Sequence, residues 1–253
     1  MKRGAAVCCM LLAGCDTVLG LRHVGVAGDA APSDKRFVQA ASNFVGEPNT
    51  MLHVPLDNPP APHDLLVVAV TTFRNIDVKI TDSAGNEYHT TPIQPERTSL
   101  NSSVWILYAS DIATANPFAL DIASTATDAS SSEVSAIAVE YGGTFASDPY
   151  DVASSDMGMG SGSTISQTCG SIVPTGSDEI YVAALTHDFT GTTTPVGMFS
   201  LPKPPLEDAT CCGALAVADR IGPGEQTSAS FVTAWPPGGT GTPSWACGLV
   251  GFR

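Results

Sequence analysis

The sequence predicts an all-β protein, and three features carry that expectation. Only 14% of the 253 residues are charged, and Gly, Ser, Thr, Pro and Ala fill much of what the apolar residues leave. No long stretch repeats apolar residues at i, i+3 and i+4, the spacing of a surface helix. Instead, short β-prone runs recur between clusters of Gly, Pro, Asn and Asp. There are about a dozen such runs, spaced as in sandwiches and barrels. No shift of composition marks a second domain, so the expected fold is one antiparallel β-sandwich over residues 35–253.

Taken in order, the first runs are Arg36–Ser42 and Thr50–Leu56, the latter alternating apolar and exposed positions. Asn58-Pro-Pro-Ala-Pro-His63 is a turn, because proline has no N–H to give a ladder. Leu65–Thr72 is continuously apolar, as a strand buried on both faces must be. In Ile76–Ile80 the isoleucines and Val78 point in, while Asp77 and Lys79 point out. Asp82-Ser-Ala-Gly-Asn86 is a turn that can adopt positive φ, and Tyr88–Thr91 returns from it. Ser103–Tyr108, Phe118–Ser124 and Glu133–Tyr141 follow. Residues 144–163, rich in Ser, Gly, Asp and Met, read as a long surface loop. Ile180–His187, Ala214–Asp219, Ser228–Trp235 and Trp245–Phe252 complete the series.

The N-terminus has its own grammar. Lys2 and Arg3 precede a brief apolar run that ends in Leu12-Ala13-Gly14-Cys15. At roughly 11 residues the run is too short to span a bilayer, which takes about 20, and its layout is that of a secretory signal. The ending resembles the lipobox of bacterial lipoproteins. That resemblance implies cleavage after residue 14, a lipidated Cys15 as the new N-terminus, and a cell-envelope address on either membrane. Two or more acyl chains anchor stably where one does not. Residues 15–34 then read as a tether.

Export changes the meaning of the later cysteines. Cys169, Cys211, Cys212 and Cys247 form an even set and read as disulfides. Neighbours on a strand face opposite ways. The favoured pairing therefore joins Cys169 and Cys247 each to one of the adjacent Cys211 and Cys212. The net charge of −14 argues against a nucleic-acid partner, whose phosphates demand a basic face.

Asp64–Val70, the segment Val78-Lys-Ile-Thr-Asp-Ser-Ala-Gly-Asn-Glu-Tyr88, Trp105–Ala109, Ala138–Gly143 and the closing Gly251-Phe-Arg253 occur in an order that resembles a jelly-roll-type β-sandwich module of secreted bacterial proteins. The resemblance implies a fold and carries no catalytic residue.

Candidate chemistry is sparse. Glu140, on a face it shares with Ala136 and Ala138, has the character of a glycosidase acid, yet it has no acidic neighbour at +2 or +4. A salt bridge to Arg253 is its bland role. Trp235 and Trp245 flank a Gly/Pro loop and are candidate contacts for a sugar ring, or else core residues capping strand ends. Asp77, Asp82, Asp121, Asp128, Asp148, Asp151 and Asp156 offer oxygens for a structural Ca²⁺, but no Asp-x-Asp-x-Asp-Gly loop gathers them. His53, His63, His89 and His187 form no zinc-binding pair, and no nucleophile elbow, P-loop or dinucleotide fingerprint appears. The sequence thus predicts a non-catalytic, lipid-anchored envelope protein without a cofactor, binding a glycan or a protein or serving structurally. The alternative is a glycosidase-like enzyme on a jelly-roll scaffold.

Overall fold

A computed structural model describes residues 33–46, 51–73, 77–93, 98, 102–125, 133–207, 214–235 and 242–253. Cys15, the signal and tether, Asp128, and the Cys211–Cys212 pair lie outside the described residues. Among those described there is no helix, and every ladder between strands is antiparallel. The strands are β1 (Arg36–Val45), β2 (Met51–Pro55), β3 (Leu65–Phe73), β4 (Asp77–Asp82), β5 (His89–Thr90), β6 (Ser102–Ala109), β7 (Ala119–Thr125), β8 (Val134–Gly142), β9 (Tyr150–Met159), β10 (Thr164–Ile172), β11 (Asp178–His187), β12 (Thr192–Val196), β13 (Ala214–Pro223), β14 (Thr227–Ala234) and β15 (Ser244–Phe252).

They form four sheets rather than the two of one sandwich. The orders are β1-β8-β3-β6-β5, β2-β7-β4, β13-β11-β15-β9 and β10-β14-β12. Three apolar layers separate them. The first lies between the three-stranded β2-β7-β4 sheet and one face of β3, β6 and β8: Leu52, Val54, Leu120 and Ile122 meet Leu66, Val68, Val70 and Ala136. The middle layer joins the other face of those strands to β11, β13 and β15: Leu65, Val67, Ile106 and Val139 meet Ile180, Val182, Val217 and Val250. The third sets Tyr181, Leu185 and Leu249 against Ile165, Ile172 and Phe231 of the last sheet. Burial follows this layering. β8 and β15 are buried at every position, whereas β2 and β10 alternate exposed and buried. Strands of inner sheets must be apolar on both faces, and outer strands on one only.

The two halves repeat one topology. Reading β1-β8-β3-β6 with β2-β7-β4 and replacing β1, β2, β3, β4, β6, β7 and β8 by β9 through β15 gives β9-β15-β11-β13 with β10-β14-β12. The position of β5 is taken by the bridges of Ser200 to Asp219 and Leu206 to Leu215 on β13. Even the irregularity is shared: one extra residue, Val38 or Asp151, interrupts the pairing of the edge strand at the matching place. A bulge of this kind twists an edge and blunts it.

The contacts across the middle layer are reciprocal, as a two-fold interface requires. By register, Thr71 corresponds to Thr186, Tyr141 to Phe252 and Tyr108 to Asp219. Thr71 and Thr186, both buried, share a hydrogen bond between their own hydroxyls at 2.7 Å. The Tyr141 hydroxyl donates to Asp219 Oδ2 at 3.0 Å, and in the opposite direction the Tyr108 and Phe252 rings meet edge-on at 5.4 Å. Tyr141→Phe removes the donor from a carboxylate that burial already pushes upward in pKa. The expected cost is about 1–3 kcal/mol, read from denaturant unfolding beside Phe252→Tyr as the mirror control.

Three sequence expectations need correction. The supposed loop 144–163 contains β9, whose Ser, Asp, Gly and Met residues lie on a half-exposed edge strand. The β10 and β12 strands (Thr164–Ile172 and Thr192–Val196) are rich in Thr and Ser and carried too few apolar residues to be anticipated. Cys169 pairs with Cys247 directly, Cα–Cα 4.7 Å, instead of each bonding one of the adjacent cysteines.

Candidate functional site

Both tryptophans proposed for ligand contact pack in the third apolar layer. Trp245 is 7% exposed and packs in the third apolar layer, where a Cβ on Gly158 would lie 2.7 Å from its ring. Trp235 is half-buried and stacks on Phe189 at 4.6 Å, which in turn stacks on His187 at 4.2 Å. Neither indole is fully exposed: Trp245 is buried and Trp235 half-buried. His187 is buried, with Nδ1 at 2.8 Å from the Phe189 carbonyl and Nε2 at 3.0 Å from Thr193 Oγ1. Burial pushes its pKa down to about 4, so it is a neutral core group at physiological pH. Among the described residues, no three or more His, Cys, Asp or Glu side chains converge for a metal ion.

Glu140 has a different partner from the one anticipated. Arg253 binds Asp151, with Nη1 3.6 Å from Oδ1. Glu140, 1% exposed, lies beside Asp64 and hydrogen-bonds with it. Its Oε2 accepts from Gln39 Nε2 at 2.5 Å and its Oε1 from the Ala61 N–H at 3.1 Å. Burial first, and the Asp64 carboxyl second, push Glu140 up to about 7. Loss of the Glu140 proton is disfavoured because it would put a charge in a buried site beside a second carboxyl. A two-carboxylate glycosidase needs its acids roughly 5–10 Å apart with a sugar between them. This pair is in direct contact.

The second half has its own version. Glu179 occupies the position of Asp64, and Gly251 that of Glu140. Glu179 turns into the vacated space: a Cβ on Gly251 would lie 2.7 Å from its Oε2. Its Oε1 accepts from the Gly176 N–H at 2.9 Å. Burial pushes Glu179 up to about 7, with neighbouring Asp151 adding to the rise. Asp151 itself goes the other way. Burial opposes its charge, but the Thr175 hydroxyl and N–H and the Arg253 guanidinium hold it below the usual range.

The Glu140 pair shapes the proline turn in front of it. In Asn58–Asp64 three of the seven residues are prolines, so few N–H groups remain to fix the backbone. Asn58 N–H donates to Gln39 Oε1, Ala61 N–H to Glu140 and Asp64 N–H to the Ala61 carbonyl. Gln39 Nε2 also donates to the Asn58 carbonyl. The pegged turn ends on His63, held at φ 69°.

His63 meets Asp111, from the turn after β6, with Nδ1 to Oδ1 at 2.7 Å. Asp111 has φ 52°, and these two are the only non-glycine residues at positive φ among those described. Such conformations cost of order 1–3 kcal/mol each and gather at functional sites. The pair borders an open cavity of about 400 Å³, completed by Ser110 and by Gly143-Thr-Phe-Ala-Ser147. The latter segment joins the two halves. Thr144 is fixed by Asp34 Oδ2, which accepts from its N–H at 3.0 Å and its hydroxyl at 2.6 Å. Gly143, at φ 137°, lets the chain cross Lys35, whose Cα would lie 2.8 Å from a Cβ there. Sequence reasoning set His63 aside because it belongs to no spaced pair. Its partner is 48 residues away, and the one local hint is a histidine ending a proline turn.

Compared with family models, with curated proteins and with solved structures, the chain matches none at a significant level.

Proposed function

We propose that this is a non-catalytic, lipid-anchored protein of the bacterial cell envelope. It carries two tandem jelly-roll sandwiches at the end of a short tether from Cys15, and it holds a glycan or an envelope protein or serves structurally. The lipobox-like Leu12-Ala13-Gly14-Cys15 supports the anchor. The orders β1-β8-β3-β6 over β2-β7-β4, and their repeat, support the jelly-roll reading.

The observation that carries the non-catalytic reading is the Glu140–Asp64 contact. The acid best placed for glycoside chemistry is buried and spent on a neighbouring carboxyl and on the proline turn. The mature protein, incubated with a panel of polysaccharides, should release no reducing ends while retaining at least one of them in a binding assay. Hydrolysis abolished by Glu140→Gln would establish the enzymatic alternative instead. Mass spectrometry of the mature N-terminus should find a diacylglyceryl-modified Cys15, and an unmodified chain starting elsewhere would remove the anchor.

A further inference from the structure

We propose that the cavity between His63, Asp111 and the segment joining the two halves binds a neutral polyhydroxylated ligand, a sugar ring, through a hydroxyl donated to His63 Nε2. This rests on the binding reading above and names its site and ligand class.

The argument begins with the tautomer. An ionised carboxylate can only accept, so the 2.7 Å contact to Asp111 places the proton of a neutral His63 ring on Nδ1. Nε2 is then a lone-pair acceptor. Asp111 fixes the ring's direction, and the two left-handed backbone positions fix the residues that bring it there. Ser110 and Ser147 add hydroxyls that both donate and accept, Thr144, whose hydroxyl donates to Asp34, keeps an acceptor lone pair, and Phe145 completes the lining. A neutral polyol, with alternating O–H and C–H edges, matches such a wall.

Charged ligands match it less well. Among the described residues no Lys or Arg lines the cavity, and the chain carries a net charge of −14, which repels anions. A cation finds the Asp111 carboxylate already engaged by His63. Two nearby carboxylates are also committed: Asp34 to Thr144, and Asp148 to the Tyr108 hydroxyl at 3.1 Å. The volume of about 400 Å³ falls in the range of small-molecule sites, about 300–1,000 Å³.

The test uses the whole mature protein with ¹⁵N-labelled histidine, titrated with neutral hexoses and N-acetylhexosamines and, separately, with a hexuronate. Neutral sugars should shift the Nε2 resonance of His63 and leave those of His53, His89 and His187 in place. Affinity should fall about tenfold in His63→Ala, the worth of one well-placed hydrogen bond. His63→Gln, which keeps an acceptor, should recover part of it. Unchanged affinity in His63→Ala or tighter binding of the uronate would each overturn the assignment. A glycan bound elsewhere with His63 silent would refute this site and spare the binding reading. Failure of every sugar and polysaccharide would refute both.

Discussion

Replacing Glu140 and Glu179 by glutamine should make the protein more stable above about pH 7 and reverse the way its stability responds to acid. Burial raises both carboxyls from 4.5 to about 7. Between these values the unfolded chain has lost the two protons while the folded chain keeps them. Stability from these groups is therefore fully present below about 4.5 and is lost as pH rises to about 7. Allowing for screening by solvent, each carboxyl contributes on the order of 2 kcal/mol to that loss.

His187 works against them. Its folded pKa is depressed from 6.5 to about 4, so its contribution is present above about 6.5 and is lost as pH falls towards 4. Asp82 and Asp151, both lowered, add a further loss below the ordinary carboxylate range. In the native protein the two glutamates outweigh the histidine, and stability should rise modestly from about pH 7 to about pH 5. In the double glutamine variant the histidine acts alone, and stability should fall over the same interval by about 2 kcal/mol. Urea unfolding across that pH range measures both slopes. A variant whose slope tracks the native protein would show that neither carboxyl holds its proton.

The same buried pairs mark where sequence reasoning succeeded and where it stopped. Leu65–Thr72 reads as a strand buried on both faces, and it is one. Ile180–Leu185 and Trp245–Phe252 come close to the same apolar continuity, whereas Glu133–Tyr141 is interrupted by Ser135 and Glu140. Several such strands are hard to place in one two-sheet sandwich, where each sheet keeps a face to solvent. The expectation of a single sandwich therefore missed the layering, although Leu65–Thr72 already read as buried on both faces. Nor was the duplication legible. Its halves match in register and bulge but differ in residues: Ala136 stands where the second half has Cys247, and Glu140 where it has Gly251. Side-chain identity differs between the halves while the ladder matches, because many apolar residues satisfy one buried face. The candidate site was the least visible part. A dyad of single residues on two turns has no periodicity, and its members are brought together only by the pairing of β3 with β6.

Breaking the Cys169–Cys247 bridge should destabilise one end of the molecule more than the other. Both sulfurs are fully buried, and the bond ties β15 of an inner sheet to β10 of the outer sheet beyond it, across a sequence separation of 78 residues. Loss of such a native link typically costs about 2–5 kcal/mol. The sheet it restrains has three strands and a face of Thr164, Ser166, Thr168, Thr192 and Thr194 turned outward. Its inner side carries a polar chain from His187 through Thr193 and Thr233 to Gln167. Less apolar area therefore holds it than holds the β2-β7-β4 sheet, whose inner side is Leu52, Val54, Ile80, Leu120 and Ile122. Hydrogen exchange on Cys169→Ala/Cys247→Ala should show protection lost first in β10, β12 and β14. The strands β2, β4 and β7, which have no disulfide among the described residues, should keep theirs. Equal loss of protection in all four sheets would mean that the halves unfold as one unit, with the middle layer alone setting the stability of the whole.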